Sequence, residues 1–157
     1  MELRTDRRHR AARAALPDVP PGAGGSRDEL VLGTWRELAL EPLAVVVLDS
    51  GGHVKAFERE DGAAPGRFGI AQGKAYGSVM LGIAGRAQMA RAEQQAYFMA
   101  AMNGVYDGKV VPVPGGVLVR DKAGKIIGAV GVTGDTSDND VICALAGIDA
   151  AGLTGED

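Results

Sequence analysis

Three separated stretches of the sequence carry residue types that can bind an anion. One has an arginine and an aspartate at the end of a strand-like run, the second has a lysine in a helical run, and the third is a Pro-Gly-Gly corner before another strand-like run. Lysine and arginine donate charge-assisted hydrogen bonds to carboxylates, and glycine lets another group approach the backbone closely. The predicted carboxylate pocket consists of Arg59, Asp61, Lys74, Pro114, Gly115 and Gly116.

Topology supports this grouping, because Arg59 ends one strand, Gly115 opens another, and Lys74 lies on the helix that recrosses the sheet between them. Burying a cation near apolar strands costs free energy unless a carboxylate pairs with it. The competing interpretation is structural: Arg59 pairs with Asp61 at the end of a hairpin, and Lys74 lies on a solvated helix face. The residues alone leave both interpretations open.

The elements that position these residues follow from hydrophobic periodicity and from helix and turn signals. Two Asp-x-x-Gly turns, beginning at Asp49 and Asp121, each join two β-rich runs and predict two similar hairpins. The expected order is α-β-β-α-α-β-β-β-α, with an antiparallel sheet in the α+β class. Helices are predicted at 28–40, 68–82, 85–104 and 135–152, and strands at 43–49, 53–60, 116–121 and 125–132.

Composition limits the classes of function. The chain has 157 residues and a net charge of −3, which offers no overall electrostatic footprint for nucleic acid. No apolar run reaches the roughly 18 to 20 residues that a membrane span needs. The single cysteine, Cys143, excludes an internal disulfide and favours the cytoplasm. Residues 1–27 are rich in arginine, proline and glycine and are expected to form a disordered or atypical tail before one domain at 28–154.

Five motifs in this order resemble the GlcG/HbpS-type haem-binding family, which is also called the haem-degrading family. They are LAVVVLDSGGHVKAFEREDGA, IAQGKA, VPVPGGVLVRD, IIGAVGVTGD and the closing CALAGIDA helix. The same motifs resemble the C-terminal domain of PduO-type cobalamin adenosyltransferases. The resemblance covers about residues 35 to 152. It implies a five-stranded antiparallel sheet flanked by helices in a profilin-like layout, and homo-oligomers that are often octamers.

The resemblance also bears on the site residues and the ligand. Arg59 and Asp61 match the family's Arg-x-Asp-Gly, Lys74 matches its Gly-Lys-Ala, and residues 114–116 match its Pro-Gly-Gly. It implies a cytoplasmic protein with little or no catalysis of its own that binds haem or a related tetrapyrrole. The alternative is an enzyme or accessory factor of small-carboxylate catabolism, of glycolate or aromatic-acid type, with Lys74 as acid/base or anion anchor. A structural subunit of a larger assembly is a third possibility.

Other reactive side chains have structural interpretations that we prefer. His53 follows a hairpin turn and is expected to be a solvated turn residue rather than a metal or haem ligand, and no metal site is predicted. Cys143 lies beside the apolar stripe of the last helix and is expected to be a small core residue. The helix methionines are expected to fill the core rather than supply an axial haem ligand; they are Met80, Met89, Met99 and Met102.

Overall fold

The computed structural model describes residues 40–157. The predicted tail at 1–27 and all but the last residue of the predicted helix at 28–40 lie outside these residues. The described part of the chain contains five strands and four helices. In chain order they are β1 Ala44–Asp49, β2 Val54–Arg59, α1 Arg67–Leu81, α2 Gly85–Gln94, α3 Ala96–Val105, β3 Gly116–Arg120, β4 Ile126–Thr133, α4 Ser137–Ala150 and β5 Thr154–Glu156.

Both Asp-x-x-Gly turns form as the sequence predicts. Asp49 Oδ1 accepts hydrogen bonds from the amides of Gly51 and His53, at 2.9 and 3.0 Å. Asp121 Oδ1 accepts from the amides of Ala123 and Lys125, both at 2.9 Å. Each carboxylate thus satisfies turn amides that would otherwise need water, and each fixes an antiparallel hairpin, β1 with β2 and β3 with β4.

The two hairpins join into one five-stranded sheet through β1 and β4, which pair antiparallel over the whole length of β1. The strand order is β2-β1-β4-β3-β5, so that β2 and β5 form the edges. Every pairing in this sheet is antiparallel, which confirms the predicted α+β class and five-stranded sheet.

Helices cover both faces of the sheet. On one face α1 packs over β1 and β4, where its Ala71 and Ala75 meet Val46, Leu48 and Ala129. On the other face α4 packs over β3 and β4, and Cys143, Ala144 and Ile148 enter a second core cluster with the strand valines. Small residues on α1 let this helix approach the strands closely. A Cβ on Gly131 of β4 would collide with the carbonyl oxygen of Ala71.

Two details of the predicted order are wrong. The segment 85–104 is not one helix, because the chain leaves helical geometry at Gln95 and begins α3 at Ala96. The predicted order also has three strands between the third and the last helical segments, but only β3 and β4 form there, and the segment that leads to Gly116 is not a strand. Pro112 and Pro114 have no amide hydrogen to give to a ladder, and the amide of Val111 bonds to the carbonyl of Gly73 on α1 instead (3.2 Å). The fifth strand is the short C-terminal β5.

Candidate functional site

Lys74 is buried beside the Pro-Gly-Gly corner. Its side chain is 3% exposed, and its Nζ donates to Asp140 Oδ2 at 2.7 Å and to the carbonyl of Val132 at 3.0 Å. Gly115 has a φ of 105°, and a Cβ there would lie 2.9 Å from Lys74 Nζ. A Cβ on Gly116 would collide with the carbonyl oxygen of Lys74. The corner is therefore shaped to let the α1 backbone and the lysine head approach β3.

Asp140 reaches this lysine from the first turn of α4. Its side chain is 1% exposed, and Oδ1 also accepts the amide of Asp135 at 3.2 Å. Burial raises the pKa of the Asp140 carboxyl above its ordinary value, and the hydrogen bond from Lys74 opposes that rise only in part. Because α1 and α4 pack on opposite faces, this ion pair ties the two helices together beside the start of β3.

Arg59 and Asp61 lie away from this ion pair. Arg59 is on edge strand β2, which is separated from β3 by two intervening strands, or about 14 Å at the usual strand spacing. Its Nη1 donates to the carbonyl of Ala63, and both Arg59 and Asp61 are exposed. Among residues 40–157 no ion pair joins Arg59 to Asp61.

The structure thus brings Lys74 together with Gly115 and Gly116, next to the buried Pro114, and leaves Arg59 and Asp61 apart. The carboxylate that pairs with the buried Lys74 is Asp140 of the same chain. Asp140 is the residue that the sequence interpretation missed, since an acid in the first turn of a helix is already explained by the positive end of that helix. The Lys74–Asp140 ion pair fixes α1 to α4. Because Asp140 already accepts a hydrogen bond from Lys74, this lysine is not an unpaired cation that could bind a carboxylate of another molecule.

A second group of donors surrounds the β1–β2 turn. His53 Nδ1 lies 3.2 Å from Asp49 Oδ1, and the imidazole is 80% exposed. The amide of His53, together with the amide of Gly51, holds the pKa of Asp49 below its ordinary value. Asp49 is therefore a carboxylate at neutral pH that orients the ring of His53. With Nδ1 bonded inward, Nε2 is the nitrogen left for another partner.

An aromatic surface adjoins this turn; we call Tyr76, Met80 and Tyr106 the tyrosine surface. A Cβ on Gly52 would collide with the Met80 methyl group and would lie 3.2 Å from the ring of Tyr76. Tyr106 packs edge-on against Tyr76, with ring centroids 6.0 Å apart, and its hydroxyl donates to the carbonyl of Met80 at 3.4 Å. Lys109 Nζ lies 5.6 Å from the centre of the Tyr76 ring.

Cys143 and the helix methionines differ in burial. Cys143 is buried, and burial raises the pKa of its thiol to about 11, so that it is not a nucleophile at neutral pH. Met99 is buried, whereas Met80, Met89 and Met102 are half-buried. Residues 40–157 hold no cluster of three or more histidine, cysteine, aspartate or glutamate side chains suited to a metal ion. Nor does this range hold a helix long and apolar enough to cross a membrane.

Comparison with known proteins gives one family and several structures. Residues 32–149 match the family described as haem degrading protein HbpS-like. No curated protein matches the sequence. A crystal structure of a PduOC–haem complex is similar with a TM-score of 0.71 and 21% identity, over 83% of this chain and 92% of that one.

Two further solved structures share the fold. The ORFY protein of Klebsiella pneumoniae has a TM-score of 0.69 and 22% identity, over 83% of this chain and 88% of its own. A double mutant of HbpS from Streptomyces reticuli has a TM-score of 0.65 and 23% identity, over 89% of this chain and 83% of its own. At these identities the likeness establishes the architecture.

Proposed function

Because this chain belongs to the HbpS-like family of haem-degrading proteins, we propose that it binds haem or a related tetrapyrrole. The observation that carries the proposal is the family match over residues 32–149, which spans most of the chain. The similar fold of a PduOC domain that was crystallised with haem supports it. Haem, when bound, supplies a redox-active iron and a large apolar ring, and the protein tunes both through the ligands and the side chains around them.

The chemistry of the described side chains fits such a ligand. Haem iron accepts imidazole nitrogen or thioether sulfur, and the ring packs well against aromatic groups. His53 offers an exposed imidazole, and the adjoining tyrosine surface offers two aromatic rings and a thioether. Lys109 supplies a cation at the edge of this surface for a propionate.

The proposal is for binding with little or no catalysis by the chain itself. The described cysteine is buried with a raised thiol pKa, and the buried lysine is occupied by Asp140. The alternative of small-carboxylate catabolism relied on an anion pocket around Lys74 and Arg59. Within residues 40–157 the contact that weighs against it is the one to Asp140, which already accepts a hydrogen bond from Lys74.

Titration of the purified full chain with hemin tests the proposal. We expect a Soret band that differs from that of free hemin and saturates at a fixed ratio of hemin to chain. The same titration in concentrated urea, where the fold is lost, is the control for non-specific adsorption. A spectrum that never departs from that of the urea control would contradict haem binding, and binding of glycolate by calorimetry would favour the alternative.

We also propose that the protein self-associates, with α3 in the contact. The segment Ala96–Val105 contains no charged residue, and among its side chains only Met99 is buried. Tyr97 and Val105 are 77% and 70% exposed. An uncharged helix that leaves large apolar side chains in water gains by packing against an equally uncharged surface, and a second copy of α3 provides one.

A further inference from the structure

We propose that His53 would hold the haem iron through Nε2, and that the tyrosine surface would contact the porphyrin ring. This inference rests on the proposed function and assigns it a site. It differs from the sequence-based expectation that His53 is only a solvated turn residue, and the reason for the change is the set of contacts around the β1–β2 turn.

The first step is the orientation of the imidazole. Asp49 Oδ1 is fixed by the amides of Gly51 and His53, and the same oxygen holds His53 Nδ1. A carboxylate behind a histidine fixes the ring and its tautomer and raises its basicity as a ligand. The imidazole thus projects from a rigid turn with Nε2 directed away from Asp49.

The second step is the contact between the β1–β2 turn and the tyrosine surface. Gly51 and Gly52 precede His53, so the two residues before the imidazole carry no side chains. Gly52 has a φ of 81° and lies directly against Met80 and Tyr76. The tyrosine surface therefore adjoins the turn that carries His53, and it offers aromatic rings and a thioether methyl group to a flat ligand held there.

The third step is the charge at the rim. Haem carries two propionates, and Lys109 lies beside the Tyr76 ring. Its ammonium is more than half exposed, and its acidic neighbour, Asp107, is 3.8 Å away and exposed as well. An exposed ion pair at this distance contributes little to stability, so Lys109 can exchange Asp107 for a propionate at a small cost in free energy.

The experiment compares hemin with metal-free protoporphyrin IX on the full chain and on matched variants. The chain has two histidines, so His9→Ala is the control for His53→Ala. We expect His53→Ala to shift the Soret band and to weaken hemin binding at least about tenfold, while protoporphyrin IX, which has no iron to coordinate, binds as to wild type. Asp49→Asn should weaken hemin binding by about 10- to 100-fold, the usual effect of losing such a supporting carboxylate. Added imidazole should restore the wild-type spectrum of His53→Ala.

Three outcomes would overturn the inference. A hemin spectrum and affinity of His53→Ala identical to wild type would exclude His53 as ligand while the proposed function stands. Loss of the wild-type spectrum in His9→Ala instead would assign the ligand to the other histidine. Absence of hemin binding by the wild-type chain would refute the proposed function and this site together. Because His53 is exposed, His53→Ala should leave the circular dichroism spectrum unchanged, which separates these outcomes from misfolding.

Discussion

Lys74 and Asp140 depend on each other, because each is a buried charge whose partner is the other. Removing one partner of such a pair leaves an uncompensated charge away from water. We expect Lys74→Met and Asp140→Leu each to lower the free energy of unfolding by about 3 to 5 kcal/mol. Urea unfolding followed by circular dichroism measures this change.

The double variant Lys74→Met with Asp140→Leu is the control. It replaces both charges with apolar groups, so its loss of stability should be smaller than the sum of the two single losses. Additive losses would show that the ion pair is not coupled. If the single variants are as stable as wild type, the pair does not tie α1 to α4.

Cys143 makes stability depend on pH at the alkaline end. Its thiol pKa is about 11 in the folded chain, against an ordinary value of 9.0. A raised folded pKa means that the contribution is fully present below pH 9.0 and is lost as the pH rises through about 11. We expect the wild-type chain to lose stability over this range faster than Cys143→Ala does, as measured by urea unfolding at several pH values. Parallel curves for the two proteins would contradict the assignment.

The residues of the candidate site show how far a sequence can predict contacts. Lys74 and the Pro-Gly-Gly corner were placed together correctly, because a helix that follows one hairpin must cross the strands of the next. Arg59 was misplaced, since chain order does not reveal that β2 lies at the far edge of the sheet. Asp140 was missed because an acid in the first turn of a helix has the same sequence pattern whether it serves the helix dipole or an ion pair.

At the scale of elements, the contact of α1 with β4 depends on Gly131. A Cβ there would collide with the backbone of Ala71, and backbone atoms cannot rotate away as a side chain does. We expect Gly131→Ala to lower the free energy of unfolding by about 3 kcal/mol or more, the upper range for overpacked cores. Thermal unfolding measures the loss.

Gly69→Ala is the matched control, because Gly69 lies in α1 and a Cβ there would meet nothing within 4 Å. Alanine is the better helix former, so this variant should gain about 0.5 to 1 kcal/mol. Equal melting temperatures for Gly131→Ala and the wild type would show that the helix can move off the strand at no cost.

The two hairpins were predictable from sequence because a carboxylate and a glycine at fixed spacing determine each turn. The break at Gln95 carries neither proline nor glycine, so the pattern from 85 to 104 looked continuous. Strand β5 has three residues, too few for an alternating pattern to show. It adds to the sheet edge because Gly155 leaves room for Leu145 and Ile148 of α4, a contact that no local signal reveals.

At the scale of the whole molecule, the proposed contact through α3 predicts the state of association. A single copy has a mass of 16.1 kDa, and we expect light scattering at micromolar concentration to give a multiple of this value. Tyr97→Glu places a charge at the most exposed aromatic side chain of the uncharged helix, where desolvating it in an interface is costly. This variant should shift the measured mass toward 16.1 kDa while its circular dichroism stays that of the wild type.

Lys122→Glu also changes one exposed charge, but in the β3–β4 turn, and should leave the mass unchanged. A wild-type mass of one chain would refute self-association, and a multimer that persists in Tyr97→Glu would move the interface away from α3.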